Sequence, residues 1–165
     1  MNVIDTILTA INVLLAIASA FGARKSLKYY RKSKNLSTYT QINKSLIEIQ
    51  KMLIKLPEAL SASSQSLRGK KGLSLQNTLC GIGQELNNSL MEIGADIPVE
   101  YSDDLKNLQN DGKFELQKYI NSFISGEAVK ENCIDGNDYY LCQERLKEMQ
   151  EYLKRKSSDV GEELK

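Results

Sequence analysis

Three thiols, Cys80, Cys133 and Cys142, and 21 acidic side chains are the groups in this chain with chemistry to offer, and their spacing gives them little to do. No two cysteines form a CxxC pair, so a dithiol redox centre or a zinc knuckle is not expected, and a sparse, odd set of thiols fits a reducing compartment. Histidine is absent. Its absence removes the commonest general base, the usual nucleophilic triads and most zinc or iron sites. Gly136 invites a comparison with a calcium loop, but Cys133 then falls on a ligand position and Cys142 where a bidentate Glu is required. The stretch Ser61 to Gly72, SASSQSLRGKKG, has the small and basic residues of a phosphate cradle. It lacks the GxxxxGK[ST] spacing and a preceding strand. No acids pair in a recognisable general acid/base motif. No catalytic, cofactor-binding or metal-ligating residue is therefore assigned, no cofactor or small-molecule substrate is expected, and an enzyme is not.

What remains is the chemistry of surfaces. Arg24, Lys25, Lys28, Arg31, Lys32 and Lys34 follow one another with no acid among them, and Tyr29 and Tyr30 sit in the same run. Directly before it comes Val3 to Ala23, VIDTILTAINVLLAIASAFGA, which carries no charge from Thr6 onward. As a helix these 21 residues rise roughly 31 Å, the thickness of a bilayer's hydrocarbon core. The eight residues Arg24, Lys25, Lys28, Tyr29, Tyr30, Arg31, Lys32 and Lys34 are then the expected membrane-interface set: cations for anionic headgroups, tyrosines for the interfacial belt. Nucleic acid is the other client of such a cluster. The rest of the chain argues against it, since setting aside Asp5 and these six bases leaves 16 Lys and Arg against 20 Asp and Glu, a net −4.

The apolar stretch has a patterned face. Thr9, Asn12, Ala16, Ser19 and Ala23, with Asp5 before them, recur at alternating steps of three and four. Small residues let helix backbones approach closely, and an amide inside hydrocarbon gains from an interhelical partner. These five are the expected oligomerisation residues. The rival reading is a cleavable signal, because Ala18-Ser19-Ala20 has the small-x-small form a peptidase accepts. The segment before it carries Asp5 and no base, so an uncleaved anchor is expected, with its N-terminus outside and the basic end retained in the cytoplasm.

The elements that would carry these surfaces are helices. Two prolines and no tryptophan in 165 residues suit long helices. Nothing from Ala23 to Leu56 breaks one, and Tyr39, Ile42, Leu46, Ile49, Leu53, Leu56 and Leu60 form a seam at steps of three and four, widened by Ile47, Met52 and Ile54. A strict seam describes a coiled coil, and the widened one a helix inside a bundle, which the pattern favours. The seam is out of register with the Thr9–Ala23 stripe, so one interface through both is not implied. Pro57 calls for a kink or a fresh start, and Ser61 to Gly72 reads as a hairpin loop. A second helix carries Leu75, Leu79, Ile82, Leu86, Leu90 and Ile93 on one face, with Gly81 and Gly83 inviting a close neighbour, and ends at Gly94 and Pro98. Ser102, followed by Asp103 and Asp104, reads as the next N-cap. Asn110-Asp111-Gly112 interrupts the face of Leu105, Leu108, Leu116, Tyr119, Ile120, Phe123 and Ile124. After a polar connection from Glu127 to Asp138, a last helix carries Tyr139, Cys142, Leu146, Met149 and Leu153, and the chain frays beyond Lys156.

The expectation is an all-α protein: an anchor at 1–23, a basic juxtamembrane segment at 24–34, a cytoplasmic antiparallel helical bundle or coiled-coil hairpin at 35–156 and a flexible tail at 157–165. Its partners would be membrane lipids and either further copies of itself or another protein. The expected role is an interaction or oligomerisation module at the cytoplasmic membrane face. The alternative is a membrane effector, a toxin or defence component, whose associated spans perturb the bilayer.

Overall fold

The computed structural model describes the backbone of residues 3–66, 72–110, 112–127, 129–130, 133–134 and 136–164, and the side chains of 12–62, 75–110, 112–127 and 136–164. Five helices dominate: α1 Val3–Ser66, α2 Gly72–Asp96, α3 Val99–Gln109, α4 Leu116–Ser125 and α5 Gly136–Glu163. Between α4 and α5 lies a two-residue ladder, β1 Val129–Lys130 against β2 Cys133–Ile134, antiparallel. The all-α class and the helical bundle are as the apolar periodicity implies.

The bundle is antiparallel and four-stranded, with one strand broken. The half of α1 beyond residue 35 packs against α2 on one side and α5 on the other, α4 packs on α2 and α5, and α3 packs on α5. Thus α3 and α4 act as one interrupted helix across from α1. The interruption is where Asn110 and Gly112 predict it. Asn110 Oδ1 accepts from the Gly112 amide at 2.9 Å, Gly112 takes φ +81°, and Asn110 and Glu115 form a bridge that closes the turn. Glycine takes this left-handed conformation without the steric penalty a side chain would bring.

The apolar faces of α2 and α5 are buried in full: Leu75, Leu79, Ile82, Leu86, Leu90 and Ile93 on one, Tyr139, Cys142, Leu146, Met149 and Leu153 on the other. Of Gly81 and Gly83 in α2, one serves as a close-approach point. A Cβ at Gly83 would lie 2.9 Å from both Phe123 Cβ and Ile124 Cγ1 of α4, whereas at Gly81 it would meet nothing within 4 Å.

The structure corrects the sequence reading in five places. On α1 the buried set is Thr38, Ile42, Ser45, Glu48, Ile49, Met52, Leu56 and Ala59. The expected seam shares Ile42, Ile49 and Leu56 with it, and of the residues expected to widen it only Met52 is buried. Leu46 and Leu53 are half-buried, and Tyr39, Ile47, Ile54 and Leu60 are exposed. The reason is that α1 has two neighbours, so its most buried line points between them and the leucines fall on one flank. Second, α1 neither stops nor restarts at Pro57 and continues to Ser66, which leaves residues 67–71 of the expected loop outside the described ones. Pro57 is exposed, where water can take up the carbonyl its missing N–H leaves unmatched. Third, Gly94 lies inside α2. Fourth, Pro98 is the N-cap of α3, so Ser102 and Asp103 lie within that helix and Glu100 takes the acidic first-turn position. Fifth, the expected tail is ordered as helix to Glu163, with Ser157 and Val160 buried. Its end is held against α1 by an Asn35 Nδ2 to Glu163 Oε2 bond of 2.8 Å and a Tyr39 ring 3.5 Å from where a Gly161 Cβ would be.

Candidate functional site

A helix of 64 residues is about 96 Å long, and the bundle uses only half of it. Its buried positions begin at Thr38; from residue 12 to residue 34 every side chain is exposed. The expected oligomerisation residues Asn12, Ala16, Ser19 and Ala23 lie on this free half, uncovered by any other element. Thr9 belongs to the same helix, but its side chain lies outside the described residues. Val13, Leu14, Leu15, Ile17 and Phe21, on the side of the helix away from that stripe, are roughly half to two-thirds exposed. Among the described residues no helix is long and apolar enough to cross a membrane. Residues 12–23 alone make about 18 Å of helix, and the side chains of 3–11, the other half of the expected span, are not among those described.

The interface set is brought together by the helix itself. Arg24, Lys25, Lys28, Arg31 and Lys32 project from consecutive turns with Tyr29 and Tyr30, all exposed. Lys34 departs from the set. Its Nζ donates to Glu100 Oε1 at 2.8 Å, which raises the ammonium pKa above its ordinary value, the hydrogen bond contributing most and the charge of Glu100 next. Both side chains are more than half exposed, so solvent screens the pair and it adds little to stability. With the Asn35–Glu163 bond it marks the level at which the free helix enters the bundle.

Sequence reasoning missed a polar line between α1 and α2. Glu48 is only 8% exposed, yet its carboxyl stays below the usual carboxylate range. Burial pushes it up, and hydrogen bonds from Lys51 and from Ser89 Oγ at 2.9 Å outweigh that. One turn on, Lys55 Nζ bridges Glu58 at 2.9 Å and Glu85 at 3.0 Å. Two adjoining open cavities of about 430 and 390 Å³ lie along this groove and share Lys55 and Glu85. Lys51 pairs with Glu48 and Lys55 with Glu58 and Glu85 along them, and no His, Cys, Asp and Glu cluster among the described residues has the makings of a metal site. A glutamate at Glu48 could have been found only by noticing that it falls beside Ile49 on the buried face.

A third cluster joins α3 to α5. Lys156 Nζ lies 5.6 Å from the Tyr101 ring centre and 5.5 Å from that of Tyr152, and Tyr152 donates to Asp104 Oδ2 at 2.6 Å. Burial, reinforced by that bond, raises the Tyr152 hydroxyl well above its ordinary range. Cys142 is buried among the α5 core residues, and its thiol is pushed up to about 12 by that burial, which leaves it un-ionised near neutrality and a poor nucleophile. No protein-family model, curated protein or solved structure matches this chain.

Proposed function

We propose that this protein is a single-pass, membrane-anchored helical module that acts by association at the cytoplasmic membrane face. One observation carries the reading: α1 leaves the bundle as bare helix, and Val13, Leu14, Leu15, Ile17 and Phe21 have no cover from their own chain. An apolar surface of that extent needs lipid or protein against it. The cations that follow at 24–34 supply headgroup attraction on the order of 1 kcal/mol each and fix the bundle on the cytoplasmic side. Because the same helix continues from the anchor into the core, the bundle is held at the membrane by a rigid rod, not by a flexible linker.

Expressed in full, the chain should stay with membranes through an alkaline carbonate wash, and a membrane-impermeant thiol reagent should leave Cys80 unlabelled in intact cells. Release by carbonate would end the anchor reading, and ready labelling of Cys80 would reverse the topology. Depolarisation of the same cells on expression would favour the membrane-effector role over simple tethering.

A further inference from the structure

Arg24, Lys25, Lys28, Arg31 and Lys32 form a cross on the free half of α1. Lys28 stands at its centre, with Arg24 and Lys25 one turn before it and Arg31 and Lys32 one turn after. Residues three and four apart are neighbours on a helix surface, about 5–6 Å from Cβ to Cβ, so Lys28 adjoins all four. At about 3.6 residues per turn the five occupy roughly 120° of the circumference. The opposite side of the same turns carries Ser26, Tyr30 and Ser33. One cation of the run, Lys34, falls on that side, and Glu100 holds it at 2.8 Å.

The chain itself balances none of the other five. No acid lies between Asp5 and Glu48. All five side chains are exposed, and none is in an ion pair among the described residues. Like charges three and four residues apart oppose a helix, and an anion with several charges, reaching from turn to turn, relieves that most.

Depth narrows the choice of anion, and this step rests on the membrane reading above. Arg24 follows directly on the anchor. A headgroup layer is about 5–8 Å deep, half of what headgroups add to the hydrocarbon core. Along an upright helix rising about 1.5 Å per residue, Lys28 lies about 6 Å beyond Arg24, at the outer margin of that layer. Arg31 and Lys32 lie about 10–12 Å beyond Arg24, outside it. A phosphate within the layer reaches Arg24, Lys25 and Lys28 and leaves the outer pair bare. A soluble acidic partner meets the outer pair and is kept from the inner one.

We propose that the cross is a site for one lipid headgroup with phosphate at two levels. The phosphodiester next to the acyl chains is held by Arg24, Lys25 and Lys28, and a phosphate monoester carried outward on a polyol by Lys28, Arg31 and Lys32. The two triads share Lys28 and are centred about 7 Å apart along the axis. Each contains one arginine, whose planar fork suits a pair of phosphate oxygens, and two lysines that add charge.

The test is native mass spectrometry of the full-length chain in detergent with three probes: a phosphoinositide bearing two ring phosphates, phosphatidylserine, and the soluble inositol phosphate that matches the first headgroup. One phosphoinositide per chain should be retained, several-fold more than either other probe at equal concentration. Lys28→Gln/Ser33→Lys keeps the net charge and moves one cation to the opposite side of an exposed helix. It should lose the preference several-fold with an unchanged circular dichroism spectrum, whereas Ser33→Lys alone should keep it. Equal retention of the two lipids by the parent, or an undiminished preference in the double variant, would overturn the site and leave diffuse attraction. Equal retention of the soluble inositol phosphate would overturn the lipid as its ligand. A carbonate wash keeps the two readings apart. A membrane-retained chain without the preference loses the site and keeps the anchor, and a released chain with it keeps the site and loses the anchor.

Discussion

The two halves of α1 are the same helix in different company. Downstream of residue 38, the residues at alternating steps of three and four lie between α2 and α5, and Ile42, Ile49 and Leu56 are wholly buried. Upstream, Leu14 is 66% exposed and Phe21 67%, although that half is the more hydrophobic of the two. The contrast separates two things that sequence patterns tend to merge. Helix formation is local, satisfied by backbone bonds four residues apart. Burial depends on what the rest of the chain can bring alongside. This chain has α2 and α5 to offer, and they reach only to the level of Lys34 and Asn35. Among the described residues, the upstream half has no neighbour from its own chain.

The sharpest way to break the comparison is to truncate equivalent side chains in each half. Ile49→Ala should cost about 2–4 kcal/mol in urea unfolding, from lost burial and the cavity left behind. Leu14→Ala should leave the unfolding midpoint of the bundle where it was. A similar loss from both would mean that the free half is covered by the bundle after all.

A smaller pair of opposite effects examines the covered half. Gly83→Ala forces a methyl against Phe123 Cβ and Ile124 Cγ1, with an expected loss of about 1–3 kcal/mol. Gly81→Ala, with open space at its Cβ, should stabilise by up to about 1 kcal/mol through helix propensity. Thermal melts of the two variants should move in opposite directions. A shift of both the same way would place α4 elsewhere than over Gly83.

The smallest expected effect is electrostatic. The Glu48 carboxyl is more acidic folded than unfolded, so the unfolded chain binds more protons in the acid range and stability rises with pH there. The contribution is present above the unfolded carboxylate value near pH 4.5 and is lost as pH falls through the lower folded value. Glu48→Gln should cost about 1–2 kcal/mol at neutral pH, the scale of a hydrogen bond to a charged group, and should flatten the acid limb of the stability profile. A variant with the parent's acid limb would assign that limb to other carboxylates.

Much of the fold was legible because each of its helices has to bury a stripe of its own. Every residue that the apolar repeats of α2 and α5 named is buried, because the helical period sets those residues on one face; Ser157 and Val160 of α5, beyond the last named apolar position, were not named. The break between α3 and α4 was legible for a chemical reason, an Asn side chain and a glycine that can turn the chain. Of the candidate site, the cations and tyrosines at 24–34 and the small residues of the stripe needed only the helical repeat to be set on one rod. By itself, then, the sequence determined the helices, their inward faces and the succession of apolar and basic segments, because those follow from local bonding and from the 3.6-residue period. The tertiary structure alone decided that Ala59 faces the core and Leu60 does not, that Glu48 is buried with Ser89, that Lys34 is spent on Glu100, and that the chain beyond Lys156 docks on α1. Each of these depends on where a second or third helix lies around the first, and no repeat in one segment encodes the azimuth of its neighbours.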